Sequence, residues 1–279
     1  MCGRIWLIGG TCESSELAYR LSARAVPYVV TVTTDAARAL YPQAAQVHVG
    51  QLADAAARQF VRRWQIRGIL DASHPFASEV SRLAIALAQT EAIAYLRYER
   101  TDMSPDANIA SASPTDSSQV IPSQVIQIDA IQDLVTSDTL QQSSLARVSS
   151  VQRILFTIGY RALPTVRPLR QTAQLFARVL PSAEAVSGAI AAGFSSQEIM
   201  AIRPPVSAEL EAALWRQWKI THIVAKASGA AGGEGVKRAI AAELGVVLIL
   251  IRRPRLIYPN QTNSISAATE FCVKTLRVY

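Results

Sequence analysis

Cysteine and histidine are scarce in this sequence, three of each in 279 residues. Cys2, Cys12 and Cys272 are odd in number, far apart and form no CxxC pair, which argues against a disulfide framework and against a structural zinc site. With only His48, His74 and His222 beside them, no protein-bound metal is expected. No run of 18 apolar residues occurs, and MCGRIWLIGG leads straight into a strand, so the chain is expected to be cytoplasmic, with neither a membrane span nor a signal peptide. Basic clustering is missing as well. The 28 Lys and Arg outnumber 21 Asp and Glu, a formal charge of +7, yet no five basic residues run together. That dispersal speaks against nucleic acid and suits a small polyanionic partner.

What is present is a regular alternation of short apolar runs with helical periodicity. In the first hundred residues RIWLI, PYVVTVT, AQVHVG, GILDA and AIAYLRY read as strands. Between them lie helices from about Glu13, from Asp35, from Asp54 to Trp64 and from Ser78 to Thr90. The second half repeats the pattern: RILFTIG, QLFARVL, QEIMAI, THIVAKAS and VVLILI alternate with helices, the last near Ala267 to Arg277. The expected fold class is α/β, two Rossmann-like domains with mainly parallel sheets. The expected division is a nucleotide-binding domain over 1–100, a Ser/Gln/Asp/Thr-rich insertion over 101–150 and a second α/β domain over 151–279.

A ligand of such a sheet lies beyond the carboxyl ends of the strands, where strand order reverses. An order of 3-2-1-4-5 puts that crevice between the first strand, ending in GGTCES, and the fourth, ending in DASHPFA. Gly9 and Gly10 permit a tight turn, and free N–H groups at the following helix start suit a phosphate. Thr11 and Ser14 stand where a full GxGxxG would have later glycines, so a plain strand-to-helix turn capped by Thr11 or Ser14 fits equally well. Pro75 holds His74 extended, and Ser73 and His74, followed by Phe76, offer groups able to bracket a ribose and a carboxamide, with His74 as a structural turn residue the alternative to an acid or base. Thr34 and Asp35 follow the second strand, where an acidic residue can bond a ribose 2′-hydroxyl; Asp35 as a helix cap is the alternative. Arg97 and Arg178 at strand ends, and Lys226, Ser228 and Gly229 in VAKASGAAGGEG, are candidates for binding carboxylates. The spacing of that loop does not support an ATP-binding GxxxxGK[ST].

Taken in order, GGTCES, VHVGQL, DASHPFA, YLRYER, LFTIGYRAL, LFARVLPS, AKASG and VVLILIRRP resemble the precorrin-6A reductase family, including its cobalt-precorrin-6A branch. Ala227, where a polar residue is usual, and Arg100-Thr101, where Arg-Pro is common, depart from it. The resemblance implies a cobalamin-biosynthesis enzyme that delivers a hydride from NADPH or NADH to a ring carbon of precorrin-6A, or of its cobalt complex, to give the precorrin-6B form. The nucleotide would sit on Gly9, Gly10, Thr11, Ser14, Thr34, Asp35, Ser73, His74, Pro75 and Phe76, with NADH slightly favoured by Asp35. The tetrapyrrole polycarboxylate would lie between the domains, against Arg97, Arg178, Lys226, Ser228 and Gly229. Water, His74 or Tyr98 would supply the accompanying proton. Two other readings stay open: a Rossmann-type nucleotide-sugar transferase or epimerase, although the N-terminal half has no Tyr-x-x-x-Lys pair, and a non-catalytic nucleotide-sensing module.

Overall fold

The computed structural model describes residues 3–100, 124–136, 140 and 151–277. The chain begins with β1 (Arg4–Ile8), α1 (Cys12–Ala23), β2 (Tyr28–Val32), a 3-10 segment (Asp35–Leu40), β3 (Gln46–Val49), α2 (Asp54–Arg63), β4 (Ile66–Asp71), α3 (Ser78–Thr90) and β5 (Ala94–Tyr98). A second series follows: β6 (Val125–Ile128), α4 (Asp133–Thr136), β7 (Gln152–Phe156), a 3-10 segment (Tyr160–Gln171), β8 (Ala173–Val179), α5 (Ala183–Ala191) and β9 (Ile199–Ala201). It continues through α6 (Ala208–Gln217), β10 (His222–Lys226), α7 (Glu234–Leu244) and β11 (Val247–Ile251), and the chain closes with β12 (Gln261–Thr262) and α8 (Ile265–Arg277).

Two six-stranded sheets result, ordered β12-β5-β4-β1-β2-β3 and β6-β11-β10-β7-β8-β9, and every described strand pair is parallel. Central strands covered on both faces need near-continuous apolar sequence, as in Ile5-Trp6-Leu7-Ile8 and Leu248-Ile249-Leu250, all buried. One face of the first sheet packs Leu7 and Leu70 against Leu17 and Leu21 of α1 and Ala268 and Cys272 of α8. The other packs Trp6 and Ile69 against Phe60 and Val61 of α2 and Ala84 and Leu87 of α3. In the second sheet, Leu155, Ile223 and Leu248 meet Ala212 and Trp215 of α6 and Ile240 and Ala241 of α7.

The strand order 3-2-1-4-5 is present at the heart of the first sheet, but the expected division of the chain is corrected at two places. The described residues within 1–101 and 254–279 form one compact unit, and those within 102–253 the other, so β12 and α8 belong to the first unit. The physical reason is a vacant sheet face: α1 covers half of it, and the apolar side of α8 fills the rest. Periodicity announces such a helix without saying which sheet it will cover. Within the expected connector, β6 pairs in parallel with β11 as an edge strand of the second sheet. The other residues of that connector, apart from 124–136 and 140, lie outside those described. Local boundaries also move: the short helix expected from Asp35 is a 3-10 segment, α1 starts at Cys12, and α8 starts at Ile265.

Gly68 shows how closely α8 is seated. A Cβ there would stand 2.9 Å from both Ile5 Cδ1 and Thr275 Cγ2. Gly68→Val is therefore expected to destabilise the protein by about 1–3 kcal/mol through overpacking, read as a lowered urea midpoint.

Candidate active site

The two irregular loops at the switch point are bonded to one another. Ala72 donates its N–H to Ile8 O at 3.0 Å, Gly9 donates to Thr31 O at 2.9 Å, and the Thr11 hydroxyl donates to Ala72 O at 2.9 Å. Thr11 caps α1, accepting from Ser14 N–H at 3.1 Å while its own N–H donates to Ser14 Oγ at 3.0 Å. This reciprocal cap explains the Thr-x-x-Ser spacing. It also corrects the assignment of Ser14 to the cofactor: the side chain is fully buried and committed to the turn.

Gly9 is required for a different reason than ligand approach. A Cβ there would stand 2.1 Å from Tyr41 Oη, so the glycine makes room for a tyrosine 32 positions on, which the sequence reading missed. Gly10 has φ +100° with nothing within 4 Å of a would-be Cβ, so it faces open space in a conformation that L side chains rarely adopt. Its N–H donates to Tyr41 Oη at 2.7 Å. The next amides, Cys12 and Glu13, belong to the first turn of α1, whose N–H groups have no carbonyl within the helix to meet. An open glycine beside them fits a nucleotide diphosphate.

Beneath the fourth-strand loop lies Asp71, fully buried at the end of β4. Its Oδ1 accepts from Ser73 N–H at 3.1 Å, Ser73 Oγ at 2.7 Å and Arg97 Nη1 at 2.9 Å. Oδ2 accepts from Ser81 Oγ at 2.6 Å and Tyr95 Oη at 3.0 Å. Burial, reinforced by the Asp71 charge, pushes the Tyr95 hydroxyl far up and keeps it a donor. Arg97 is corrected by the same network. It is 1% exposed, its Nε donates to Glu99 at 2.8 Å, and its guanidinium lies 5.2 Å from the Tyr258 ring centre. Burial alone would lower its proton affinity, but Asp71 and then Glu99 outweigh it and raise it. Arg97 is thus an internal counter-ion, inaccessible to a substrate carboxylate. Ser73 is spent likewise, since its hydroxyl also accepts from Arg97 Nη1 at 2.9 Å.

On the rigid base formed by Asp71 and Ser73 sit Pro75, buried, and His74 and Phe76, half-buried. His74 Nδ1 accepts from Phe76 N–H at 3.2 Å, so a neutral imidazole carries its proton on Nε2. Thr34 and Asp35 are exposed beyond β2. Thr34 occupies the cap position of the 3-10 segment and Asp35 is its first residue, which corrects the reading of Asp35 as a cap; its carboxylate pairs with Arg38 at 3.2 Å. Tyr98, half-buried at the end of β5, has its hydroxyl pKa raised by burial and then by Glu13 and Glu16. Glu13 pairs with Arg100 at 2.7 Å.

The second sheet carries its own polar rim at the ends of β8 and β10. Arg178 is ion-paired to Glu211 of α6, whose Oε1 is buried with no hydrogen-bond partner among the described residues. After β10, Gly229 (φ +71°) donates its N–H to Glu234 at 3.0 Å, and Ser228 Oγ donates to Lys226 O at 3.3 Å. A Cβ at Gly232 would lie 1.8 Å from Ser228 Oγ, so this glycine is needed for the loop to close over the serine. Lys237 of α7, another residue the sequence reading missed, donates to the carbonyls of Gly232 at 3.2 Å and Gly233 at 3.3 Å. Burial lowers the pKa of Lys226. It lowers that of Lys237 to about 8, helped by Arg178 and opposed by Glu211 and Glu234. Among the described residues no group of three or more His, Cys, Asp or Glu is placed to hold a metal ion, and no helix is long and apolar enough to cross a membrane.

Two parallel sheets, with a glycine turn bonded across the switch point of one and a basic glycine loop on the other, define a two-unit Rossmann-type α/β protein. Comparison with known proteins gives the particular family. The family described as Precorrin-6x reductase CbiJ/CobK matches residues 4–273. A cobalt-precorrin-6A reductase of Synechocystis sp. is 40% identical over 274 residues, 98% of this chain and 97% of the relative. One from Salmonella typhimurium is 30% identical over 253 residues, 90% and 88% of the two chains. A solved structure of CobK precorrin-6A reductase superposes with a TM-score of 0.73 over 99% of this chain and 100% of the other, at 21% identity, and so shares the fold. The chain belongs to the precorrin-6x reductase family. That membership displaces the nucleotide-sugar and sensing-module readings.

Two outcomes follow from this geometry. Asp71→Asn removes the buried one of the two carboxylates paired with the Arg97 guanidinium and is expected to cost about 3–5 kcal/mol, measured by urea unfolding. The folded pKa of Lys237, about 8, is below its ordinary 10.5, so between these values the native state binds fewer protons than the unfolded chain. The group therefore adds stability as pH rises through that window. Unfolding curves at pH 7.5 and 10 should show that increment in the wild type and lack it in Lys237→Met, within the window set by about 8 and 10.5.

Proposed function

We propose that this protein reduces cobalt-precorrin-6A to cobalt-precorrin-6B with a reduced nicotinamide nucleotide. The observation that carries this reading is the 40% identity, over nearly the full length of both chains, to a protein named cobalt-precorrin-6A reductase. A bound reduced nicotinamide would supply the hydride; the chain's residues bind and orient. The amides of Cys12 and Glu13 and the open face of Gly10 receive the diphosphate, with Thr34 and Asp35 beside the adenosine ribose. His74, Pro75 and Phe76, fixed from below by Asp71 and Ser73, line the nicotinamide end. His74 and Tyr98 are the side chains available to hold a proton, and burial raises the pKa of the Tyr98 hydroxyl and keeps it protonated.

For the macrocycle, the net charge of +7 and the rim of the second sheet favour a polycarboxylate. Lys226, Ser228 and Gly229 meet it, while Arg178 acts through its pairing with Glu211. NADH is the favoured nucleotide. Asp35 stands where it can bond a 2′-hydroxyl, and the Arg38 guanidinium that could receive a 2′-phosphate is paired with that carboxylate.

The test follows nicotinamide absorbance on mixing the protein with cobalt-precorrin-6A and each nucleotide. Substrate-dependent oxidation is expected, with the higher kcat/KM for NADH, and Asp35→Ala should narrow the preference. No oxidation with authentic substrate would sink the reductase reading. A strong preference for NADPH, unchanged by the substitution, would reverse the choice of nucleotide.

A further inference from the structure

We propose that Tyr41 is a positioning residue for the nucleotide turn, its hydroxyl locking the Gly9–Gly10–Thr11 backbone to the segment that follows β2; this rests on the nucleotide reading of the first unit. The hydrogen-bond inventory fixes the direction of the lock. Ser14 Oγ donates to Thr11 O at 2.7 Å and accepts from Thr11 N–H at 3.0 Å, so its one hydrogen is spent. At 2.7 Å from Ser14 Oγ, the Tyr41 hydroxyl must therefore be the donor of that pair. Its oxygen in turn accepts the Gly10 N–H at 2.7 Å. The chain runs in one sense from Gly10 N–H through Tyr41 and Ser14 to Thr11 O, each hydroxyl both accepting and donating, the arrangement in which the links polarise and strengthen one another.

The ring and the hydroxyl of Tyr41 do separate things. The ring fills core space beside Leu17 and Val30, a task that phenylalanine would perform as well. The hydroxyl reaches the turn only because Gly9 lacks a Cβ, which would stand 2.1 Å from it. A second stitch runs parallel: the Ser15 hydroxyl donates to the Leu40 carbonyl. The backbone that meets the diphosphate and the 34–41 segment that meets the ribose are thereby one piece. Gly10's amide is also occupied, so phosphate oxygens are directed to the amides of Cys12 and Glu13.

Titrating NADH and NADPH into wild type and Tyr41→Phe, followed by nucleotide fluorescence, tests the proposal. The dissociation constant of each nucleotide should rise about tenfold in the variant, as expected for losing two hydrogen bonds around a binding turn. The macrocycle KM at saturating nucleotide should stay within about twofold, a split that a general loss of core packing would not produce. Ser14→Ala cuts the same chain at its other end and should weaken nucleotide binding in the same direction, which keeps the test open if the first variant fails to fold. Unchanged nucleotide affinity in a folded variant of either kind overturns the role of Tyr41. Wild type that binds neither nucleotide overturns the nucleotide reading, and this proposal with it, before any substitution is made.

Discussion

The carboxylate of Asp71 is the constraint around which the first unit is arranged. A buried charge is tolerable only when paired and fully hydrogen-bonded, and Asp71 meets that condition by drawing Ser73, Ser81, Tyr95 and Arg97 onto its two oxygens. Those partners come from the end of β4, the start of α3 and two positions of β5. Arg97 then extends the set to Glu99 and Tyr258, and its backbone N–H bonds Asn260 O at 2.9 Å, which brings in the returning C-terminal segment. The loop that carries His74 is therefore anchored at Ser73 to the same buried carboxylate.

The two sheets share a winding pattern and differ in the polar groups at their strand ends. At the switch point of the first, the polar groups are mostly backbone amides and hydroxyls, suited to a phosphate ester and a ribose. At the rim of the second they are charged side chains in a nearly balanced cluster: Arg178 with Glu211, Glu234 with Arg238, and Lys237 over the loop carbonyls. Such pairing keeps the cluster compact, and burial lowers the pKa of Lys226 at the edge of that loop.

Much of this was legible in the residues. The strand order, the meeting of GGTCES with DASHPFA and the glycine loop after β10 all follow from alternation, turn chemistry and the crossover rule, which are local signals. The roles misread were those fixed by distant partners. Arg97 looks like a surface arginine in YLRYER, and only the parallel register of β4 and β5, which sets Asp71 beside Arg97, turns it inward. Ser14 and Gly9 carry the marks of a ligand turn, yet both answer to Tyr41, which no short-range pattern links to them. Lys237 reads as an ordinary polar position of an amphipathic helix until the loop before it closes over its ammonium. A carboxylate at a strand end, as in GILDASHP, was the one signal that could have pointed to Asp71.

The return of the chain to its first unit bears on how the protein is made. Parallel β12 adds to β5 through Gln261 with Arg97 and Thr262 with Tyr98, and α8 lays Ala268 and Cys272 on the sheet face beside α1. On a ribosome, the strands of the first sheet emerge early but that face stays half-covered while some 150 residues of the second unit are synthesised. The second unit, contiguous in sequence, has all its own elements available before the first is complete. The domain that opens the sequence is thus the last to close, and its apolar face is the part of the nascent chain in need of shelter in the interval.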